Sequence, residues 1–572
     1  RVSCGIFSRP MLTLTTRNTF SSLLDAVTLT SPDGDAPAII YLETDQPPIT
    51  ITRADFRREA ERYAAALQSM GVQPRELVVI AHTQNLESIF AFWGALLLGA
   101  IPSMFPTLTE KLDPAIYMQN MAELVSLSGI RAILTTDDFA PTLAAHVACP
   151  VYGSEQLRAA IPDSPSLRVE RGQGGEVDTA FLQHSSGSTG LQKGVALSHR
   201  AVLNQLASYS DSIQLSKQDV IVSWLPLYHD MGLIAGFLLP LVQGVPLVLM
   251  SPFDWVQHPA MLFRAINDYH GTLCWLPNFA YNHCARRIRA RDMEGLSAAS
   301  MRMFINCSEP VYDESHRLFA ERFAHQGVRP EMLAVSYAMA ENTFAVTQTP
   351  PGELPHLDVI DRAVLETERR ASPVSADHPQ AVVKVSCGKP ILNTAVRVLD
   401  ETGAPLPERC VGELAVQSDC MLTEYYRRPD LQPFKDGWYL TGDRGYIADG
   451  EVYVVGRSKD LIINAGKNVY PQDIEAIVNT VPGVHAGRAV AFGVPDEREG
   501  TELIAVVAEV HTDDPTERQT ITAAIRSTVA RSSTVTLSYV HLVNDKWLIK
   551  TSSGKIARSA NRAKWLAEHA QE

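Results

Sequence analysis

Between residues 50 and 135 the chain alternates two apolar periodicities, and that alternation restricts its possible folds more than any other feature. Phe56, Ala60, Tyr63, Ala64 and Leu67 recur at helical spacing with charges between them, and the pattern stops at Gly71. Leu77-Val-Val-Ile-Ala81 follows as a short apolar run suited to a buried strand. An apolar helix near residues 89–99 and a second strand-like run, Ala132-Ile-Leu-Thr135, come next. Strands and helices taking turns predict a layered α/β architecture around a largely parallel sheet. No repeat of fixed period interrupts the pattern, and 572 residues leave room for two or more domains with a large core.

In parallel sheets, ligands gather at the carboxyl ends of strands, so the polar residues there carry the functional signal. Thr179-Ala-Phe-Leu182 reads as a strand, and Ser185-Ser-Gly-Ser-Thr-Gly-Leu-Gln-Lys-Gly194 follows it. Backbone N–H groups, hydroxyls and one ammonium suit a polyphosphate. The order differs from the P-loop, because Lys193 precedes Gly194 and no hydroxyl residue follows. A plain flexible loop fits these residues equally well at this stage. Similar strand ends carry His229-Asp230 after Val220–Pro226, Asn278-Phe279 after Thr272–Pro277, and Ser308-Glu309 after Met303–Cys307. Val335–Asn342 offers Tyr337 for stacking on a base and Glu341 for a metal. Each alone also fits an ordinary loop or core residue.

A net charge of −14 argues against broad nucleic-acid or anionic-membrane binding. The eight cysteines are scattered without a C-x-x-C pair, which predicts reduced thiols in a cytoplasmic protein and no zinc site. Residues 1–10 lack the apolar core of a signal peptide and read as a tag remnant or trimmed start, with Met11 available as an initiator. Ile89–Ile101 is too short to span a bilayer. Pro240, Gly244 and Pro246 break Gly232–Met250 into a helix and a strand, so no membrane span is expected.

Residues 351–383 are rich in proline and charge with little periodicity, and predict an insertion or mobile surface segment. From Val396 onward, short alternating strands with Gly punctuation predict a β-rich subdomain. Gly456-Arg-Ser-Lys-Asp460 then introduces a smaller C-terminal unit with a helix over Gln472–Asn479. Its end carries Ile549-Lys-Thr-Ser-Ser-Gly-Lys-Ile556, either a solvated tail or a second anion-seeking loop.

Six segments in order, Ser185–Gly194, Leu225–Gly232, Tyr337–Glu341, Gly442-Asp443, Gly456–Asp460 and Lys550–Lys555, resemble the motifs of the adenylate-forming superfamily of acyl-CoA synthetases, peptide-synthetase adenylation domains and luciferases. The likeness covers residues 20 to 565. Trp224–Leu233, Leu276–Tyr281, Ser308–Pro310, Tyr470–Glu475 and the extra segment before Val385 are most similar to fatty acyl-AMP ligases. The resemblance implies a large N-terminal domain over 12–456, with a β-rich subdomain at 385–456 and an insertion at 351–384. A mobile α+β domain over 457–572 would be hinged at Lys459.

The chemistry so implied is ATP-dependent activation of a carboxylic acid, fatty or otherwise bulky, to acyl-AMP with release of pyrophosphate. The acyl group then passes to the phosphopantetheine of a carrier protein, or alternatively to coenzyme A. A third possibility is a non-catalytic nucleotide- or acyl-binding relative. By family position, Ser185, Ser186, Gly187, Ser188, Thr189, Gly190 and Lys193 hold phosphates. Ser308, Glu309, Tyr337, Ala338, Asp443 and Arg457 surround the nucleoside. Glu341 and Thr189 bind Mg²⁺, and Lys555 bridges carboxylate and α-phosphate. His229, Trp224, Leu233, Asn278 and Phe279 face the acyl substrate, whereas Trp275 more often serves as core. A monomer is expected.

Three residues or segments depart from the pattern. Ala338 stands where Gly is usual, and Ile549 where Pro is usual, which should loosen the terminal loop. Phe105–Tyr117 lacks the proline-rich run of acyl-AMP ligases. Arg286, Arg287, Arg289 and Arg291 form a basic cluster that would suit an acidic carrier protein, or simply a solvated helix end.

Overall fold

The computed structural model describes residues 20, 22–30, 33–108, 114–162, 178–184, 193–496, 501–551 and 554–569. Two sheets dominate the first 425 residues. One has nine strands among the described residues. Its six central strands run parallel, in the order Leu333–Ala338, Met303–Asn306, Leu273–Leu276, Ile221–Ser223, Leu247–Met250 and Pro37–Leu42. The other has seven, with Ile101–Met104, Leu77–Ile80, Ala132–Leu134 and Val151–Tyr152 in parallel beside Thr179–His184. The parallel α/β expectation is met.

Local chemistry sets the helices between these sheets. Thr52 and Asp55 close a capping box at the start of helix Arg53–Ser69. Asn85 and Ser88 do the same for helix Leu86–Leu98, which ends at left-handed Gly99. The second helix is buried on nearly every face. Gly94 lets it lie against the first, since a Cβ there would sit 2.8 Å from the Ala64 nitrogen.

The predicted β-rich stretch is a five-stranded antiparallel sheet built from Thr394–Leu399, Gly412–Ser418, Phe434–Lys435, Trp438–Ala448 and Glu451–Arg457. Beyond it, Val484–Asp496, Thr501–Val510 and Tyr539–Val543 form a smaller sheet. Helices Pro471–Val478 and Pro515–Ser532 pack on it around a separate core containing Ile474, Val478, Ile521 and Ile525. No helix among the described residues is long and apolar enough to cross a membrane. The seven described cysteines are free.

Of the two readings of residues 351–383, an insertion or a mobile surface segment, the second fails. Residues 351–383 do not form a loose surface segment. Leu357–Asp361 pairs antiparallel with Ala381–Val385, and helix Arg362–Glu368 between them is capped by Asp361. Ile360 and Leu365 are fully buried against Tyr446 and Tyr453. Charge-rich composition hid the internal structure of this module because its buried apolar residues are few and pack on another sheet. The module also bonds the C-terminal unit: Asn468 Nδ2 donates to the Glu366 carbonyl (3.0 Å), the Thr534 hydroxyl donates to the Glu366 carboxylate, and Lys384 Nζ lies 2.9 Å from Asp473.

Candidate active site

Four adjacent parallel strands end on one side of the nine-stranded sheet, and their exits carry the residues singled out above. From Ile221–Ser223 the chain runs through Trp224 to His229 and Asp230. His229 Nδ1 donates to Asp230 Oδ1 at 2.6 Å, and the Met231 N–H donates to the same oxygen at 2.8 Å. A π-helix, Met231–Leu238, follows directly. It fits only because two glycines face the strand exit: a Cβ on Gly232 would meet the Pro226 carbonyl at 2.2 Å, and one on Gly236 would meet Ser223 Oγ at 2.6 Å. Burial pushes the Asp230 carboxyl up, but His229, Lys555 and the Met231 N–H outweigh it and hold the group below the usual carboxylate range.

The strand Met303–Asn306 leads to Ser308, held at φ 71°, and to Glu309. Glu309 Oε2 accepts the Phe279 N–H (2.9 Å) at the start of helix Asn278–Arg287, so the carboxylate is fixed by a helix N-terminus. Lys555 enters this corner from the C-terminal unit. A tight turn presents it: the Thr551 N–H donates to the Lys555 carbonyl (2.7 Å), the Gly554 N–H donates to the Thr551 carbonyl (2.8 Å), and Gly554 takes φ +84°. Burial pulls the Lys555 ammonium below the usual lysine range, while the charges of Glu309 and Asp230 oppose that fall. Lysine from one unit and two carboxylates from the other thus share one site.

Asp443, on the strand Trp438–Ala448, uses both oxygens. Tyr337 Oη donates to Oδ2 (2.6 Å) and Arg457 Nε to Oδ1 (3.0 Å). Each oxygen keeps a second acceptor direction for a ligand hydroxyl. Tyr337, expected against adenine, is therefore also a tether for Asp443, and burial together with Asp443 keeps its phenol protonated. Ala338 is not among the residues with positive φ, so its methyl is accommodated where glycine was expected.

Glu341 sits in a 3₁₀ turn, Ala340–Asn342, whose carbonyl accepts the Leu422 N–H. Its Oε1 accepts Tyr425 Oη at 2.9 Å, and Tyr425 Oη lies 2.9 Å from Tyr439 Oη. Lys193 Nζ stands 4.8 Å from the Tyr425 ring centroid. Tyr425 thus joins the Glu341 carboxylate to Lys193, and Tyr439 backs its hydroxyl. Sequence reasoning missed both; the signal lay in the Glu424–Tyr425 strand, which pairs with Gly194–Ser198 right after Lys193. Glu341 makes no ion pair within 4.0 Å among the described residues. A half-buried, oxygen-only donor is what a hard divalent cation takes.

Other expected residues fall elsewhere. Ser185, Ser186, Gly187, Ser188, Thr189 and Gly190 lie outside the described residues. Asn278 is spent in a buried network, accepting from Asn306 and donating to Ser315. Trp224 stacks on Trp255 with centroids 3.6 Å apart, Leu233 is buried in the π-helix, and Phe279 is exposed at their edge. Trp275 is core, its indole N–H donating to Tyr209. Trp224, Leu233 and Trp275 are thus packed side chains, Trp275 in the core as its alternative reading had it. The open apolar cleft lies on the other side of the strand exit, between Leu227, Tyr228, Phe253, Met104, Phe105 and Ile80. Ile549 is not loose. Its N–H donates to Asn561 Oδ1 and its carbonyl accepts Asn561 Nδ2, both at 2.8 Å, a clamp that proline could not complete. Lys459 lies in the turn Ser458–Asp460, and Asp460 is latched to Arg558 at 2.6 Å. Arg286, Arg287, Arg289 and Arg291 are exposed at the end of helix Asn278–Arg287 and just beyond.

Comparisons with known proteins agree with this geometry. The AMP-binding enzyme family model matches residues 29–426. The chain is 31% identical to the long-chain-fatty-acid–AMP ligase FadD32 of Mycolicibacterium smegmatis, covering 93% of this chain and 92% of that one. It is 30% identical to the medium-chain-fatty-acid–[acyl-carrier-protein] ligase JamA of Moorena producens, covering 96% and 95%. A solved structure from work on fatty acyl-adenylate ligases of E. coli and L. pneumophila superimposes with a TM-score of 0.87 at 27% identity, covering 97% of this chain and 99% of that one. Sequence, fold and site converge: the chain belongs to the AMP-binding enzyme family, as an AMP-forming ligase of the fatty acyl-AMP ligase kind.

Proposed function

We propose that this ligase adenylates a fatty or similarly bulky carboxylic acid and delivers the acyl group to the phosphopantetheine thiol of a carrier protein. The carrying observation is that Lys555 of the C-terminal unit comes under the charges of Asp230 and Glu309 of the larger one, which also holds the Tyr337–Asp443–Arg457 cluster. The carboxylate oxygen bonds to the α-phosphorus of ATP as the bond to pyrophosphate breaks. Lys555 neutralises charge between the two anions, and Asp443 with Arg457 fixes the nucleoside. Positioning and charge stabilisation of this sort carry phosphoryl and nucleotidyl transfer with little covalent help. Glu341, with Thr189, would hold Mg²⁺, which neutralises phosphate charge when bound.

In the second step the thiol attacks the acyl carbon and AMP departs. Lys459 is the pivot that withdraws Lys555 between the steps. The acceptor reading draws support from the names of the two relatives above and from the ordered module at 357–385, whose bonds to Asn468, Thr534 and Asp473 restrain the C-terminal unit. The cleft beside Tyr228 and Phe253 offers an apolar seat for an acyl or pantetheine chain. A cytoplasmic setting fits the free cysteines.

Mass spectrometry of products tests the reading, with ATP, Mg²⁺ and a panel of short, long and aryl acids, each with coenzyme A, with a phosphopantetheinylated carrier protein, or with neither. Acyl-adenylate that is indifferent to coenzyme A and consumed by the carrier is the expected result. Conversion to acyl-CoA would overturn the acceptor assignment.

A further inference from the structure

Away from the active site, the C-terminal unit gathers three metal-ligating side chains from three separate pieces of backbone. His485 and His511 have ring centroids 4.4 Å apart, and His511 Nδ1 lies 3.8 Å from Asp545 Oδ2. One ligand atom from each of the three falls within 4.8 Å of the others.

The backbone brings them together by an irregularity. Val484 pairs with Val510, but the next pair is Ala489 with Ala508, so residues 485–488 bulge opposite Glu509 alone. The bulge is braced: Gly487 takes φ +69° and its N–H donates to Asn479 Oδ1 at 2.9 Å. Bulges of this kind re-aim side chains at strand ends. This one swings His485 over His511, the first residue past the strand Thr501–Val510. Arg488, in the same bulge, pairs with the buried Glu509 at 3.3 Å, and Glu509 and Asp545 offset the charge that Arg488 places near His485. Asp545 comes from the turn after Tyr539–Val543, where Lys546 adopts φ 70°.

We propose that His485, His511 and Asp545 form a binding site for a divalent first-row transition ion, with Zn²⁺ as its probe. Two imidazoles and a carboxylate are borderline donors that favour such an ion over Mg²⁺. His511 and Asp545 are exposed, and side-chain shifts of roughly 1 Å would bring the three to ligand spacing around an ion with bonds of about 2.0–2.2 Å. Water completes the shell. The ion joins the bulge, a strand end and the turn that feeds Leu548, whose N–H donates to Glu509 Oε1, into the segment carrying Lys555. Its direct effect is to stiffen the C-terminal unit along the path to the catalytic lysine.

Equilibrium dialysis of the full chain against Zn²⁺, after chelator treatment and in excess Mg²⁺, tests the site. The unaltered chain should bind one more Zn²⁺ than His485→Ala/His511→Ala, and Asp545→Asn should weaken that ion at least about tenfold. Thermal melting supplies an independent readout, with Zn²⁺ raising the midpoint of the unaltered chain only. Should the double variant misfold, His511→Gln at its exposed position should remove the same ion. Equal Zn²⁺ stoichiometry and affinity in the unaltered and substituted chains would overturn the proposal.

Discussion

Asp443 and Lys555, which the proposed function assigns to one reaction, are held in opposite ways. Asp443 lies within a long strand, and Tyr337, Arg457 and the Thr441 hydroxyl, which accepts its N–H, fix it from neighbouring elements. Lys555 rides on a short turn of the smaller unit, and the carboxylates that attract it, Glu309 and Asp230, belong to the larger one. Under the proposed function, the nucleoside side of the site is thus preorganised, whereas the reacting-centre side exists only while the two units meet. Binding and chemistry should therefore be separable by mutation.

The largest effect falls on the delivered residue. Lys555→Ala should lower ATP–pyrophosphate exchange by about 10²–10³, the usual cost of removing a charge-stabilising donor. It should leave ATP binding nearly unchanged, and a matching loss of ATP affinity would erase the contrast. A smaller effect is expected on the fixed side. Tyr425→Phe removes a hydrogen bond to the Glu341 carboxylate and should cost about 1.5–3 kcal/mol, roughly 10- to 100-fold in the Kd for Mg²⁺-ATP by titration calorimetry. An unchanged Kd would show that Tyr425 does not position Glu341.

The smallest effect is one of pH. The folded protein holds Lys555 below its ordinary value, and the reaction needs its ammonium. Adenylation should therefore fall as pH rises through that lowered value, before the ~10.4 of a free lysine. Asp230 pulls the value upward, so Asp230→Asn should move the alkaline fall to lower pH. Movement to higher pH would contradict the assigned neighbours.

The contrast also marks what the sequence could reveal. Strand exits were legible because period and punctuation are local: Leu77–Ile80, Thr179–His184 and Met303–Asn306 all appear where apolar runs predicted them. Asp443, Arg457 and Lys555 were reachable through motif order. Tyr425 and Tyr439 were not, because their meeting with Glu341 depends on strand pairing across more than eighty residues. How the residues of the expected acyl pocket pack was hidden for a related reason. Trp224 and Trp275 sit beside the right motif, but only packing shows that Trp255 and Tyr209 already occupy their faces and polar edges. Residues 351–384 were legible as an insertion, but the strands and helix inside it were not, because its buried Ile360 and Leu365 pack against Tyr446 and Tyr453.

The most direct test follows both half-reactions in two variants, Lys555→Ala and Lys459→Pro, with adenylation read by pyrophosphate exchange and transfer read from preformed acyl-adenylate to a phosphopantetheinylated carrier. A fixed nucleoside side and a delivered lysine require opposite losses: Lys555→Ala should lose adenylation and keep transfer, and Lys459→Pro should keep adenylation and lose transfer. Equal damage to both half-reactions in both variants would contradict the account.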